Sequence, residues 1–444
     1  MHSLVAGIFM AVATLVLLMA GMPIAFALGI VAVATIFIFL EPAQFELLAN
    51  FIYQSLDNFS LLAIPLFVLM GAIFAGSKAS IDLFSAAQKW VGRLPGGLAI
   101  SSVAASALFA ALSGSSAATA AAIGKVAIPE MKKRGYSNPI ATGAVVAGGT
   151  LGILIPPSVT LILYGIAVEQ SIGQLFLGGI IPGIILTVMF CIWIVIATLL
   201  ERRGISVGGE TAENGPVIAD FSWKDRFKSF LQVFPFVALL VAILVSLYGG
   251  FATPSEAAAV GAILALIMVV VFYRSMTLKK MMNILLESTK ESTMILLIIA
   301  FSFLIGTVMS FLSIPQDLAG YIAGLNMNKW LILLFINLFL LLLGCFLLPV
   351  AIILMTAPII YPIITALGFD PIWFGVIMTI NMEMGLITPP VGLNLFVVKG
   401  IAPDIPTSEI LKGSLPYIIV IGLSIVLFSI FPQIVTWLPE KLMG

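Results

Sequence analysis

The chain has 444 residues, of which 61% are hydrophobic and 9% charged, with zero net charge and a mean hydropathy of +1.21. A soluble domain of this length carries more charge, and nucleic-acid binding needs a basic surface that is missing here. Apolar runs recur that can each cross a ~30 Å hydrocarbon layer as a helix, so the chain is expected to be an all-α polytopic membrane protein.

In chain order, Leu4–Ala20 and Pro23–Leu40 read as spans joined at Gly21-Met22-Pro23. The terminus before them, Met1-His2-Ser3, has no basic region and is not expected to be a cleaved signal. Glu41–Asn58 is amphipathic, Ser60–Gly76 spans, and Ser80–Val91 is amphipathic again. Residues 96–133 hold two short apolar pieces around Ser113-Gly114-Ser115-Ser116, which predicts a re-entrant hairpin. Residues 139–168 span with an interruption at Pro156-Pro157, and Gly173–Leu200 spans. Residues 201–229, with Gly208-Gly209 and Asn214-Gly215-Pro216, predict a cytoplasmic linker.

The order then repeats. Val233–Leu247 and Pro254–Phe272 span, Thr277–Glu287 is amphipathic, and Thr293–Leu312 spans. Residues 331–366 form a second hairpin, and 371–398 a second broken helix interrupted at Pro389-Pro390. Leu415–Leu438 closes the chain as one span. A shift of 233 residues aligns Pro129 with Pro362, Gly135 with Gly368, Gly152 with Gly385 and Pro156-Pro157 with Pro389-Pro390. Residues 1–200 and 230–444 are therefore expected to be two structural repeats.

Charge gives their orientation. With the N-terminus outside, all 20 Lys and Arg except Lys125, Lys329 and Lys441 collect on the inner face. Lys279 and Lys280 sit in the second amphipathic arm, whereas its counterpart Glu41–Asn58 has none. The repeats are thus expected to be inverted, as in secondary transporters with broken helices.

Breaks in membrane helices expose backbone groups that lipid cannot satisfy, so they belong where protein buries them or where they line a polar cavity. The half-helix after each break points a positive dipole end at the midplane, which suits a carboxylate. Unwound carbonyls with hydroxyl or amide oxygens suit Na⁺. Ser113, Ser116, Thr150, Ser158 and Asn394 are expected to meet substrate. Ser115, Thr119, Gly149, Gly152 and Pro156 are expected to hold sodium in the first half, and Thr356, Glu383, Gly385, Thr388 and Pro389 in the second. Asn381 is a further oxygen donor. Each hydroxyl has a plainer role available, bonding back to a carbonyl of its own helix. Glu383 reads equally as a cation or proton site or as a structural acid bonded to a neighbouring helix. Glu256 is expected to be solvated or to cap a helix. Cys191 and Cys345 read as packing residues. No enzyme is expected: the only histidine is His2, and no HExxH occurs.

These motifs resemble the large membrane subunit of the tripartite ATP-independent periplasmic (TRAP) transporters. The similar stretches are Leu112–Ala120, Ile128-Pro129-Glu130-Met131 with Gly135-Tyr136, Leu154–Ser158, Leu175-Phe176 with Gly179 and Pro182-Gly183, Ala252–Gly261, and Gly385–Leu395. The resemblance implies an elevator-type transporter of the bacterial inner membrane. It further implies Na⁺ as coupling ion with no other cofactor, a small four-helix membrane subunit, and a periplasmic substrate-binding protein. The substrates it implies are carboxylates: C4-dicarboxylates, sialic or other sugar acids, and keto acids. Many family members carry an acid where this chain reads Phe346-Leu347-Leu348-Pro349, so any role of that acid is absent here. No four-helix extension precedes Leu4, so the small subunit is expected as a separate chain. A stand-alone ion-coupled symporter of the same architecture is the alternative.

Overall fold

Lipid offers the backbone no hydrogen bonds, so an apolar chain of this kind satisfies its amides internally as helices. The computed structural model describes residues 2–40, 43–203, 221–274, 276–324 and 327–443, and every regular element among them is helical. Most of the expected linker 201–229 lies outside the described residues. Among the described residues, Ile172–Arg202, Trp223–Tyr248, Pro254–Val271, Leu278–Phe311, Pro349–Ala366 and Thr407–Ile430 are each long and apolar enough to cross a membrane. Ser3–Met19, Ile24–Phe39, Gly97–Ser113 and Lys329–Gly344 are shorter apolar helices. The protein is a multi-pass membrane protein.

Two elements depart from the sequence expectation. Thr277–Glu287 and Thr293–Leu312 are not separate, because Leu278–Phe311 is one helix of 34 residues. The polar stretch between them has no Gly or Pro to stop a helix, and Ser288 turns its hydroxyl back to the Ile284 and Leu285 carbonyls. The closing span Leu415–Leu438 is divided. Thr407–Ile430 ends at Phe431, whose ψ of 71° leaves the helical region, and Gln433–Met443 follows. Pro432 excludes a helical conformation at the residue before it and lacks the N–H to continue the ladder.

Local structure recurs along the chain at the sequence offset. The second arm of hairpin one, Ser116–Lys133, matches that of hairpin two, Pro349–Ala366, at both ends. Gly135 and Gly368 follow these arms, each with φ 75°, a left-handed conformation that glycine adopts without a Cβ clash. Ser137 and Asp370 then cap the two broken helices. Both Pro-Pro bonds are cis.

Each broken helix has two pieces. The first consists of Asn138–Thr150, a short turn Leu151–Ile153, and Val159–Ala167. The second consists of Pro371–Leu386 and Leu393–Ile401. The piece after each break packs against the opposite hairpin: Val159–Ala167 against Pro349–Ala366, and Leu393–Ile401 against Ser116–Lys133. The Tyr164 hydroxyl donates to Pro371 O (2.9 Å), tying Val159–Ala167 to the start of the second broken helix, and Gln170, just beyond it, donates to the Tyr361 hydroxyl of hairpin two (3.1 Å). Around this core, Ala63–Ala75 packs against Pro254–Val271, and Ile24–Phe39 against Leu278–Phe311. Glu256 closes a capping box with Thr253, as a capping role requires.

Candidate transport site

The tip of hairpin one is a turn that its sequence dictates. Gly114 takes φ 58° after Gly97–Ser113 and Ser115 is extended, its hydroxyl accepting the Ala118 N–H at the start of the next helix. The Ser113 and Thr119 hydroxyls meet at 2.7 Å, and Thr119 donates to Ser115 O at 2.8 Å. Three of the expected first-half residues thus present oxygens to one small volume. Gly152 lies against it: a Cβ there would stand 2.6 Å from Ser115 O, so only glycine lets the first break touch this tip. A Cβ on Gly71 of Ala63–Ala75 would likewise meet Ser113 O at 2.6 Å.

Ser116, Asn394 and Gly149 form a second group. The Asn394 amide donates to Ser116 Oγ (2.8 Å) and to Val146 O (3.3 Å), and its oxygen lies 3.1 Å from Ser116 Oγ. A Cβ on Gly149 would press on Ala120 Cβ at 2.7 Å and approach the Asn394 amide at 3.2 Å.

The remaining expected residues sit apart from these groups. The Thr150 hydroxyl returns to Ala147 O, and Ser158 caps Val159–Ala167 while donating to Ile153 O. Pro156 is buried in the first break. In the second half, Thr356 bonds Ile352 O and Thr388 bonds Met384 O. Gly385 is pressed on Gly344, where a Cβ would meet the carbonyl carbon at 2.7 Å, while Pro389 is exposed. Glu383 is fully buried, and neither carboxylate oxygen has a hydrogen-bond partner among the described residues.

A cavity of about 460 Å³ joins the two halves. Ser113, Ser115 and Ser116 line it from the first tip, and Leu348, Pro349 and Val350 from the second. The flanks of both breaks reach it through Ile153, Val159, Leu386 and Leu393. The opposite wall is formed by Ala63–Ala75 and by Lys280, Asn283, Glu287 and Glu291 of Leu278–Phe311. Thr150, Ser158 and Asn394 lie behind its wall, fully buried.

Residues 11–434 match the family described as "Tripartite ATP-independent periplasmic transporter, DctM component". The chain belongs to this family. It is 38% identical over 416 residues to the "C4-dicarboxylate TRAP transporter large permease protein DctM" of Pseudomonas aeruginosa, covering 94% of each chain. It is 34% identical over 430 residues to the "Sialic acid TRAP transporter large permease protein SiaM" of Vibrio cholerae, covering 96% of this chain and 97% of that one. Among solved structures, the YdaH transporter of Alcanivorax borkumensis, described as having an unusual topology, shares the fold. It aligns with a TM-score of 0.61 at 16% identity over 88% of each chain.

Sequence reasoning passed over one buried contact in this permease. Asn381 donates to both the backbone oxygen and the side-chain oxygen of Asn337, at 3.0 and 2.9 Å, tying the second broken helix to hairpin two. The signal was available, since Asn337 is the single polar side chain inside the apolar run Trp330–Gly344. In sequence, Glu287 ends the amphipathic stretch Thr277–Glu287 and Glu291 falls between that stretch and the following span. Their place on the cavity wall depends on the continuity of Leu278–Phe311.

Proposed function

We propose that this permease carries a small organic carboxylate inward across the bacterial inner membrane, coupled to sodium, by an elevator movement. The observation that carries this reading is a cavity lined by both hairpin tips and the flanks of both breaks. Its volume suits a small molecule. The helices Ser116–Lys133 and Pro349–Ala366 begin at its wall, and their first-turn N–H groups suit a carboxylate. The Ser113, Ser115 and Thr119 oxygens suit a sodium ion beside it. The hairpins and broken helices would move as one body against Ala63–Ala75 and Leu278–Phe311. Glycines at the contacts favour sliding, because Gly71 meets the first tip with no side chain between. The two inverted halves would place the N-terminus in the periplasm. A small four-helix membrane subunit and a periplasmic binding protein would complete the system. The C4-dicarboxylate and sialic acid permeases among the relatives make those two acids the first substrates to try.

The test is uptake of labelled succinate and of sialic acid into proteoliposomes containing the permease with its small subunit and binding protein. Uptake should require an inward sodium gradient. The double variant Ser115→Ala with Thr388→Ala should need about tenfold more sodium for half-maximal uptake, the loss expected of weakened ligand contacts. Unchanged sodium dependence in that variant would count against the sites named.

A further inference from the structure

The contact between Asn394 and Ser116 joins the two halves where the first hairpin tip begins its second arm. Ser116 is the first residue of Ser116–Lys133, next to the Ser115 and Thr119 oxygens. Asn394 is the second residue of Leu393–Ile401, the piece that follows the other half's break, and Val146 belongs to the first broken helix. One fully buried carboxamide therefore bonds three segments: hairpin one, the first broken helix and the second. Gly149 leaves space for it, since its missing Cβ would lie 3.2 Å from the amide nitrogen. Ser116 and Asn394 both have 4% exposure or less, so no water replaces a lost partner without a cost.

The remaining polar capacity of the group is small. The Asn394 amide has two hydrogens, and Ser116 Oγ and Val146 O take them. That leaves the side chain without a donor for substrate and fixes the direction of the carboxamide. Leu393, its neighbour, does line the cavity, so the position of this short helix also shapes the substrate space.

We propose that Asn394 is a positioning residue that makes the two sodium sites act together. It holds the start of hairpin one's second arm to the helix following the second break. Closing of the first tip around a cation then draws Leu393–Ile401 and the adjoining Thr388–Gly392 segment into place. The inference rests on the sodium-coupled reading above and deepens it by assigning how the halves communicate. Coupling of this kind needs an element that both sites bias, and the bonded trio supplies one.

Sodium alone is the probe, which removes any dependence on the substrate. Thermal stability of the purified full-length protein is titrated with sodium chloride against choline chloride, since an ion that binds the folded state raises the melting temperature. The unsubstituted protein should show a cooperative sodium response. Asn394→Ala should raise the half-saturating sodium concentration about tenfold and reduce the cooperativity. Ser116→Ala should act in the same direction, and the double variant should be no worse than Asn394→Ala alone, because both remove one contact. Where Asn394→Ala cannot be purified, Ser116→Ala reads the same contact from its other end. A cooperative sodium response that either single variant leaves unchanged, or strictly additive losses in the double variant, would overturn the inference alone. An unsubstituted protein indifferent to sodium would instead overturn the sodium-coupled function on which it rests.

Discussion

The two hairpin-and-break units share a backbone plan but differ in how they satisfy it. The first tip is hydroxylated: Ser115 caps its helix, and Ser113 and Thr119 close on one another. The first break is enclosed, with every residue from Gly149 to Ser158 buried except the half-buried Ile155. The second tip is apolar. Leu348 stands where Ser115 would be, its helix has no side-chain cap, and Phe346 is exposed. The second break is open at Pro389, Pro390 and Val391, and Gly392 at φ 60° replaces the capping Ser158. Helix ends left uncapped need another partner. In the first unit the chain itself provides the partners, whereas the second unit leaves backbone at its break accessible. The first unit is thus closed by its own side chains, whereas the second leaves its helix start uncapped and its break exposed.

The largest effect that could break this comparison is at Gly152. A side chain there must displace Ser115 O, so Gly152→Val should lower proteoliposome uptake at least about tenfold through overpacking at the first tip. Normal uptake by that variant would show that the first break does not need to touch the tip. A medium effect sharpens the difference in capping. Ser115→Ala should destabilise the protein by about 1 kcal/mol, and Leu348→Ser, which supplies the missing cap, should stabilise it by a similar amount. Thermal melting in detergent reads both, and a destabilising Leu348→Ser would mean that the second tip excludes a hydroxyl. The smallest effect lies at the base of hairpin one, where Lys132 bonds Asp404 from the loop after the second broken helix. That ammonium holds the Asp404 carboxyl below its ordinary value of 3.8. The link is therefore complete above that value and lost as pH falls through the lowered one. Asp404→Asn should therefore slightly lower the melting temperature at neutral pH and slightly flatten the acid limb, the two proteins converging at low pH, and the effect is small because both side chains are solvated.

Much of this plan was legible in residue order. Prolines mark both breaks, Gly114 and Pro349 stand at the two hairpin turns, and the offset of 233 residues pairs Gly135 with Gly368, which share a φ of 75°. Hydroxyls clustered in sequence at Ser113–Ser116 also cluster in space, because a helical hairpin turn keeps neighbours together. What was not legible depends on contacts far apart in the chain. Asn394 read as a substrate ligand because its type and position suited one, and nothing local shows that Ser116 and Val146 occupy its amide. The exchange of half-helices between hairpins is equally invisible to periodicity, which reports a buried face but not its neighbour. The continuity of Leu278–Phe311 is hidden by the change from an amphipathic to an apolar pattern near residue 290, although no helix-breaking residue stands there.

The cavity between the two tips is the centre of this account, and substrate protection tests it directly. In a background with Cys191 and Cys345 replaced by alanine, Ser115→Cys and Leu348→Cys are labelled separately with a membrane-impermeant maleimide, with and without succinate or sialic acid plus sodium. The transported acid with sodium should slow labelling at both positions, one on each hairpin. Labelling that proceeds equally fast at either tip with saturating transported acid and sodium would contradict it.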